Sequence, residues 1–136
     1  MTLQELQDEL QKDLQIDPTK LEYESSQNPV LYGKWLVKYS SLKKEVIRID
    51  NDRKTSAKER LDFYTGRSEG QVCFDRYERS EMKTVVSADE TILKLDTKLQ
   101  YMAIMLEFCS TGMDAIKQRG FAIKHMIEMR QFEAGK

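Results

Sequence analysis

A chain of 136 residues that is 40% hydrophobic can bury one modest core, which excludes two full domains. One third of it is charged and only 6 Gly and 2 Pro interrupt it, which favours helices over a sandwich or barrel. The net charge of −1 hides an asymmetry: residues 1–33 hold seven acids and two bases, 34–67 five and ten, and 68–136 eleven and ten, so a basic island follows an acidic leader.

The opening TLQE offers a capping box, Thr2 as N-cap with Glu5 reaching back, ahead of Leu3, Leu6, Leu10 and Leu14 on one face. This predicts an amphipathic helix of about 12 residues. Asp17-Pro18 and then Asn28-Pro29 each read as an N-cap with proline at the first helical position. From Pro29 the pattern predicts one long helix to about Tyr64, ended by Gly66 and Gly70. Residues 71–86 are the least regular, with a β-leaning TVV at 84–86, and Ser87 with Glu90 offers a second capping box.

Beyond that box lies the strongest periodic signal. Val85, Ala88, Ile92, Leu95, Leu99, Met102, Leu106, Cys109, Met113, Ile116, Gly120, Ile123 and Ile127 keep an unbroken 3-4 alternation, predicting a coiled-coil-like helix whose weakest points are Gly112 and Gly120. A second seam runs beside the first through Tyr101, Met105, Phe108, Gly112, Ala115, Ala122, Met126 and Met129, with Arg119 intruding. A helix with two apolar seams needs a neighbour on each side. Either the chain's own N-terminal half supplies both, or the second seam meets another subunit, and a heterologous contact of that kind closes into rings or runs on as filaments.

Little here supports catalysis. His125 is the one histidine and has no Cys or His at ligand spacing, so no metal site is expected. GRSEG lacks the spacing of a phosphate-binding loop, and the paired acids Asp50 and Asp52 read as a solvated face. Cys73 and Cys109 are 36 residues apart, wrong for zinc and too few for a disulfide framework, which suits a reducing compartment. No cofactor, signal peptide or membrane span is expected.

The basic island says more. Leu31, Trp35, Leu42, Val46 and Ile49 share one helical arc, and Arg53 and Arg60 continue it. An arginine on a core stripe needs an anionic partner, either a carboxylate of the same chain or a phosphate backbone. Downstream, aromatics alternate with bases through Arg60, Phe63, Tyr64, Arg67, Phe74, Arg76, Tyr77 and Arg79, a mixture suited to sequence-independent binding of single strands. Arg53, Lys54, Lys58, Arg60 and Arg67 are the candidate phosphate ligands, and Tyr64 and Phe63 are core residues first and candidate stacking rings second. Lys58 and Arg60 are two apart, about 200° around an ideal helix, so one straight strand cannot meet both without a bend. The rival reading is a helical interaction scaffold with no DNA role, whose island pairs with the acidic leader.

The segments LYGKWL (31–36), KERLDFYTGR (58–67), DRYERSEMKTVVSAD (75–89), LDTKLQY (95–101) and RGFAIKH (119–125), with the terminal FEAGK, together resemble the UvsY family of recombination mediators from T-even-type bacteriophages. The resemblance covers nearly the whole chain. It implies a non-enzymatic, single-stranded DNA-binding protein that loads a UvsX-type recombinase onto DNA coated by the phage single-strand DNA-binding protein, in the cytoplasm of the infected host. It also implies a ring-like homo-oligomer of about six or seven copies, closed by repeated heterologous contacts. Lys58 and Arg60 match the basic pair of the family's K-A-R-L segment, implicated in DNA binding, with Glu59 here in place of alanine, a charge that opposes phosphate. The expectation is an all-α protein, one domain over 1–136, with long amphipathic helices. Residues 1–70 form its DNA-binding region and 87–136 its oligomerisation region, the latter working through Leu99, Met102, Leu106, Cys109, Met113, Ile116, Gly120, Ile123 and Ile127.

Overall fold

The structure, a computed structural model, describes residues 1–135. Within them the chain forms four α-helices and no strand: α1 (Leu3–Asp13), α2 (Leu21–Tyr64), α3 (Met82–Ser87) and α4 (Glu90–Ala134), with a 3₁₀ turn at Arg79–Glu81 before α3. The all-α expectation holds.

Local chemistry sets several of the boundaries where the sequence places them. Thr2 Oγ1 accepts the Glu5 N–H at 3.1 Å and Glu5 Oε2 accepts the Thr2 N–H at 3.1 Å, a complete capping box for α1. At the other end of the basic stretch, Arg67 N–H reaches the Asp62 carbonyl at 2.7 Å and Gly66 N–H the Phe63 carbonyl at 3.2 Å. These two bonds are a Schellman ending, and they require the left-handed backbone that Gly66 adopts at φ 78°.

Three expectations are corrected. The second helix begins at Leu21, and Pro29 lies inside it. The Asp17 carboxylate closes a turn by accepting from the Thr19 N–H and hydroxyl at 2.9 and 2.6 Å, so Asp17-Pro18 marks that turn and not a helix start. Asn28 does not cap either, because its side chain is committed to α4, its amide nitrogen donating to the Ile116 carbonyl at 2.9 Å. An interior proline costs roughly 3 kcal/mol, which such long-range contacts offset. The β-leaning Thr84-Val85-Val86 is helical, within α3, since no neighbouring strand exists among the described residues to reward extension. Finally, Ser87 gives its hydroxyl to the Thr84 carbonyl, and it is Asp89 that caps α4, its Oδ1 accepting the Thr91 N–H at 2.9 Å.

The chain condenses into two compact units. One combines Met1–Leu42 with the chain from Ile104 onward, and the other is Lys43–Ala103. In the first, Trp35 is fully buried, its indole N–H donating to Asp13 Oδ2 at 2.9 Å and its ring edge meeting Phe108 at 6.3 Å between centroids. Leu6 and Leu10 of α1, Leu21 and Leu42 of α2, and Cys109, Ile116 and Ile123 of α4 complete this core. Each such apolar side chain withdrawn from water stabilises the fold by about 1.5–3 kcal/mol. Around its edge, Lys34 pairs with Glu9 and Asp13, and Lys38 with Glu9, so acids of the leader are neutralised by the first lysines of the basic island. Burial pushes the Cys109 thiol up, which keeps it neutral and inert in the core.

Over this stretch the chain's own helices cover parts of both seams of α4. Ile116 and Ile123 of the first seam and Met105, Gly112 and Arg119 of the second are all buried. Gly112 lets α1 approach, since a Cβ there would sit 3.2 Å from a Leu10 methyl. At Gly120 the approach is closer still: a Cβ would lie 2.6 Å from the Asn28 amide nitrogen. Alanine would gain about 1 kcal/mol of helix propensity but drive Asn28 off the Ile116 carbonyl. We expect Gly120→Ala to be destabilising by about 1–2 kcal/mol net, read as a lowered urea midpoint at unchanged m-value.

The second unit has a smaller core of Ile49, Ile92 and Met102. Charge also ties α2 to α4 and its cap, Arg53 to Asp96 and Arg60 to Asp89. No described helix is long and apolar enough to cross a membrane.

Candidate functional site

The question set by Arg53 and Arg60, basic groups on an apolar arc, is answered from within the chain. Arg53 forms its pair with Asp96, both side chains about one third exposed. Arg60 donates through Nε to Asp89 Oδ2 at 2.8 Å, and Tyr64 donates its hydroxyl to the same oxygen at 2.6 Å. The arc is apolar on α2 until it faces Asp96 of α4 and Asp89 at its cap, and there it turns basic. Asp89 is 5% exposed at its side chain. Burial pushes its carboxyl up, but the hydrogen bonds from Tyr64 and Arg60 outweigh that and hold it below the usual carboxylate range. The same hydrogen bond to Asp89, with burial, holds the Tyr64 phenol above its usual value. Arg60 also lies over the rings of Phe63 and Tyr64, 4.4 and 5.4 Å from their centroids, a stack that fixes the guanidinium and occupies both rings.

The lysines of the stretch are placed differently. Lys54 pairs with Asp50 and Lys58 with Asp62, each at 3.1 Å and one helical turn away. Lys58 is 79% exposed, and pairs of this kind are worth only a few tenths of a kcal/mol in water. An incoming phosphate can exchange for either carboxylate. Glu59 is exposed as well.

Beyond Tyr64 the connecting segment folds over a hollow of about 790 Å³, lined by Tyr64, Arg67, Cys73, Arg76, Tyr77 and Arg79 among others. A second hollow, about 510 Å³, is lined by Lys58, Lys83 and Val86 and shares Leu61 and Met82 with the first. Of the six residues expected to meet nucleic acid, the structure thus joins Arg60 and Tyr64 through Asp89 and sets Lys58 and Arg67 on two adjoining depressions. It places Arg53 on Asp96 and leaves Lys54 on the open helix surface. Arg76, Arg79 and Lys83 join them. The alternation of bases and aromatics signalled the first two, while Lys83 stands in a segment whose apparent β character concealed it.

The residues expected to drive assembly divide by burial. Met102, Cys109, Ile116 and Ile123 have almost no free surface and serve the core of their own chain, whereas Leu99, Leu106, Met113, Gly120 and Ile127 are half-buried. The large apolar side chains that α4 exposes are Leu93, Tyr101, Ile104, Phe121, Met129 and Phe132. Among the described residues no group of three or more His, Cys, Asp or Glu is placed to hold a metal ion.

Three comparisons bear on this arrangement. Residues 9–136 match the family described as recombination, repair and ssDNA binding protein UvsY. The recombination protein uvsY of Enterobacteria phage T4 is 59% identical over 137 residues, with the whole of both chains covered. Crystal structures of the bacteriophage T4 recombination mediator protein UvsY superpose with TM-scores of 0.88 in one lattice, at 58% identity over 98% of both chains, and 0.89 in another, at 56% identity over 97% of this chain and 99% of that one.

Proposed function

Since the chain belongs to the UvsY family of recombination, repair and ssDNA-binding proteins, we propose that it works as a recombination mediator, binding single-stranded DNA through the exposed cations at the end of α2. The observation that carries the interface is Lys58. Its side chain is 79% exposed and, among the described residues, paired only with Asp62 of its own helix, at the rim of a depression that also presents Lys83. The acidic leader pairs with Lys34 and Lys38, the first two lysines of the island, while Lys54 and Lys58 at its far end pair with acids one turn away on their own helix.

In this reading residues 1–70 carry the DNA-binding region and 87–136 the self-assembly region. Lys54, Lys58 and Arg67 meet phosphates directly. Arg53, Arg60 and Tyr64, engaged with Asp96 and Asp89, hold the surface in shape and lend positive potential to it. The protein has no catalytic activity and acts by assembly, through the half-buried seam residues and the exposed apolar side chains of α4. A ring of subunits multiplies weak grips on one strand without new contacts in any one of them. The strand, gathered on the ring, loosens from the phage single-strand DNA-binding protein and is handed to a UvsX-type recombinase in the cytoplasm of the infected host.

Binding to an oligonucleotide should fall steeply with salt. Lys58→Ala should lower the logarithmic salt slope by about 0.7, the value for one phosphate on a single strand. Glu59→Ala should raise affinity at low salt. Fluorescence anisotropy with a labelled dT oligonucleotide measures both, and a wild-type protein that fails to bind at low salt would sink the reading.

A further inference from the structure

The chain has eight arginines, and their partners sort them. Arg48, Arg53, Arg60 and Arg119 are each paired with a carboxylate, and Arg130 donates to the Pro18 carbonyl. Among the described residues no carboxylate pairs with the other three, Arg67, Arg76 and Arg79, and all three line the same hollow of about 790 Å³. One acid lines it with them, Asp75, which receives the Tyr77 hydroxyl at 3.5 Å. Elsewhere, then, each guanidinium finds an acceptor within the chain, four of the five a carboxylate, and here three line one hollow with no carboxylate paired to any of them among the described residues. Between the lining residues Cys73 and Asp75 stands Phe74, 94% exposed. An aromatic ring left in water on the segment that carries unpaired cations offers the pairing that a nucleotide satisfies, phosphate to guanidinium and base to ring.

We propose that this hollow is a second nucleotide-holding site for the bound single strand. Arg67, Arg76 and Arg79 grip consecutive backbone phosphates, and the Phe74 ring stacks on a base. The neighbouring depression of Lys58 and Lys83 shares Leu61 and Met82 with the hollow, so the strand passes from one to the other without leaving the surface of this unit. The proposal rests on the reading that the chain binds single-stranded DNA and names where else it does so.

Cys73, which lines the hollow and is half-buried, reports occupancy directly, with buried Cys109 as the internal control. In the full-length protein a saturating dT oligonucleotide should slow alkylation of Cys73 by iodoacetamide about tenfold or more, the weight of one stacked base or bidentate phosphate. Arg76→Ala with Arg79→Ala should abolish that protection and lower the salt slope by about 1.4, two phosphates' worth, while the thermal melt stays unchanged. Phe74→Ala should weaken binding about tenfold with the slope unaltered. An oligonucleotide that binds while Cys73 reacts at its free rate overturns this proposal alone, and absence of any binding at low salt overturns it together with the proposed function. Equal protection by inorganic phosphate or dTMP at the same phosphate concentration would show a simple anion site and likewise refute it.

Discussion

Replacing Arg119 by alanine is expected to lower the unfolding free energy by about 3–5 kcal/mol, the cost of breaking a buried pair from one side. The Arg119 side chain is 3% exposed and crosses from α4 to the opening of α2. Nη2 donates to Glu24 Oε2 and to the Gln15 carbonyl, each within 2.9 Å, Nε reaches the same carbonyl at 3.3 Å, and Nη1 donates to Asn28 Oδ1 at 2.8 Å. Alanine would strand three acceptors, one of them a carboxylate that is only 14% exposed. Lysine keeps the charge and loses the planar fork, so Arg119→Lys should fall between wild type and alanine. Urea denaturation followed by far-UV circular dichroism reads all three. A loss under about 1 kcal/mol for the alanine variant would mean that the cluster contributes no more than a surface pair.

The second large effect is at Asp89. One carboxylate here does three things: it caps α4 at Thr91, holds Arg60, and receives the Tyr64 hydroxyl. Asp89→Ala should cost about 3 kcal/mol, roughly 1 from the lost cap and the rest from Arg60 left facing an apolar contact, discounted because Arg60 is partly open to water. Asparagine caps as well as aspartate does, so Asp89→Asn should cost clearly less, and the gap between the two isolates the cap from the charge. The pH dependence has a definite sign. The carboxyl is depressed in the fold, so its stabilisation is complete above the ordinary carboxylate pKa of about 4 and is lost as pH falls through the lower folded value. The advantage of wild type over Asp89→Asn should therefore be constant above about pH 5 and shrink on acidification. Taking the difference between the two proteins removes the separate contribution of Glu9, whose carboxyl Lys38 also depresses. An advantage that grew toward low pH would reverse the assignment.

Both networks show where sequence reading reaches its range. The Thr2 capping box, the Gly66 ending and the burial of Ile92, Met102, Cys109, Ile116 and Ile123 are legible because each depends on residues within one or two helical turns. Pro29 misleads because its cost is local while the contacts that offset it, Asn28 with Ile116 and Arg119, lie far along the chain. The same distance hides the partners of Arg53 and Arg60. The apolar arc shows that an anion is needed, and nothing in its periodicity points to Asp96 or Asp89, 43 and 29 residues away. Arg119 was visible as the one charge interrupting a seam, and an interruption of that kind is the usual trace of a buried polar cluster. At the candidate interface, composition picks out the basic stretch. Which of its cations are already spoken for is a tertiary fact, and it moves weight from Arg53 and Arg60 toward Lys58 and the arginines that follow.

Trp35 has a practical consequence of a different kind. It is the sole tryptophan, fully enclosed, with its indole N–H fixed on Asp13. Its emission is therefore a built-in optical probe of whether α1 is docked. It watches the unit that contains Arg119, while the six tyrosines, Tyr64 and Tyr77 among them, include reporters beside the hollow. Excitation at the red edge of the indole band, beyond tyrosine absorption, would follow the first unit through a denaturation with no label attached.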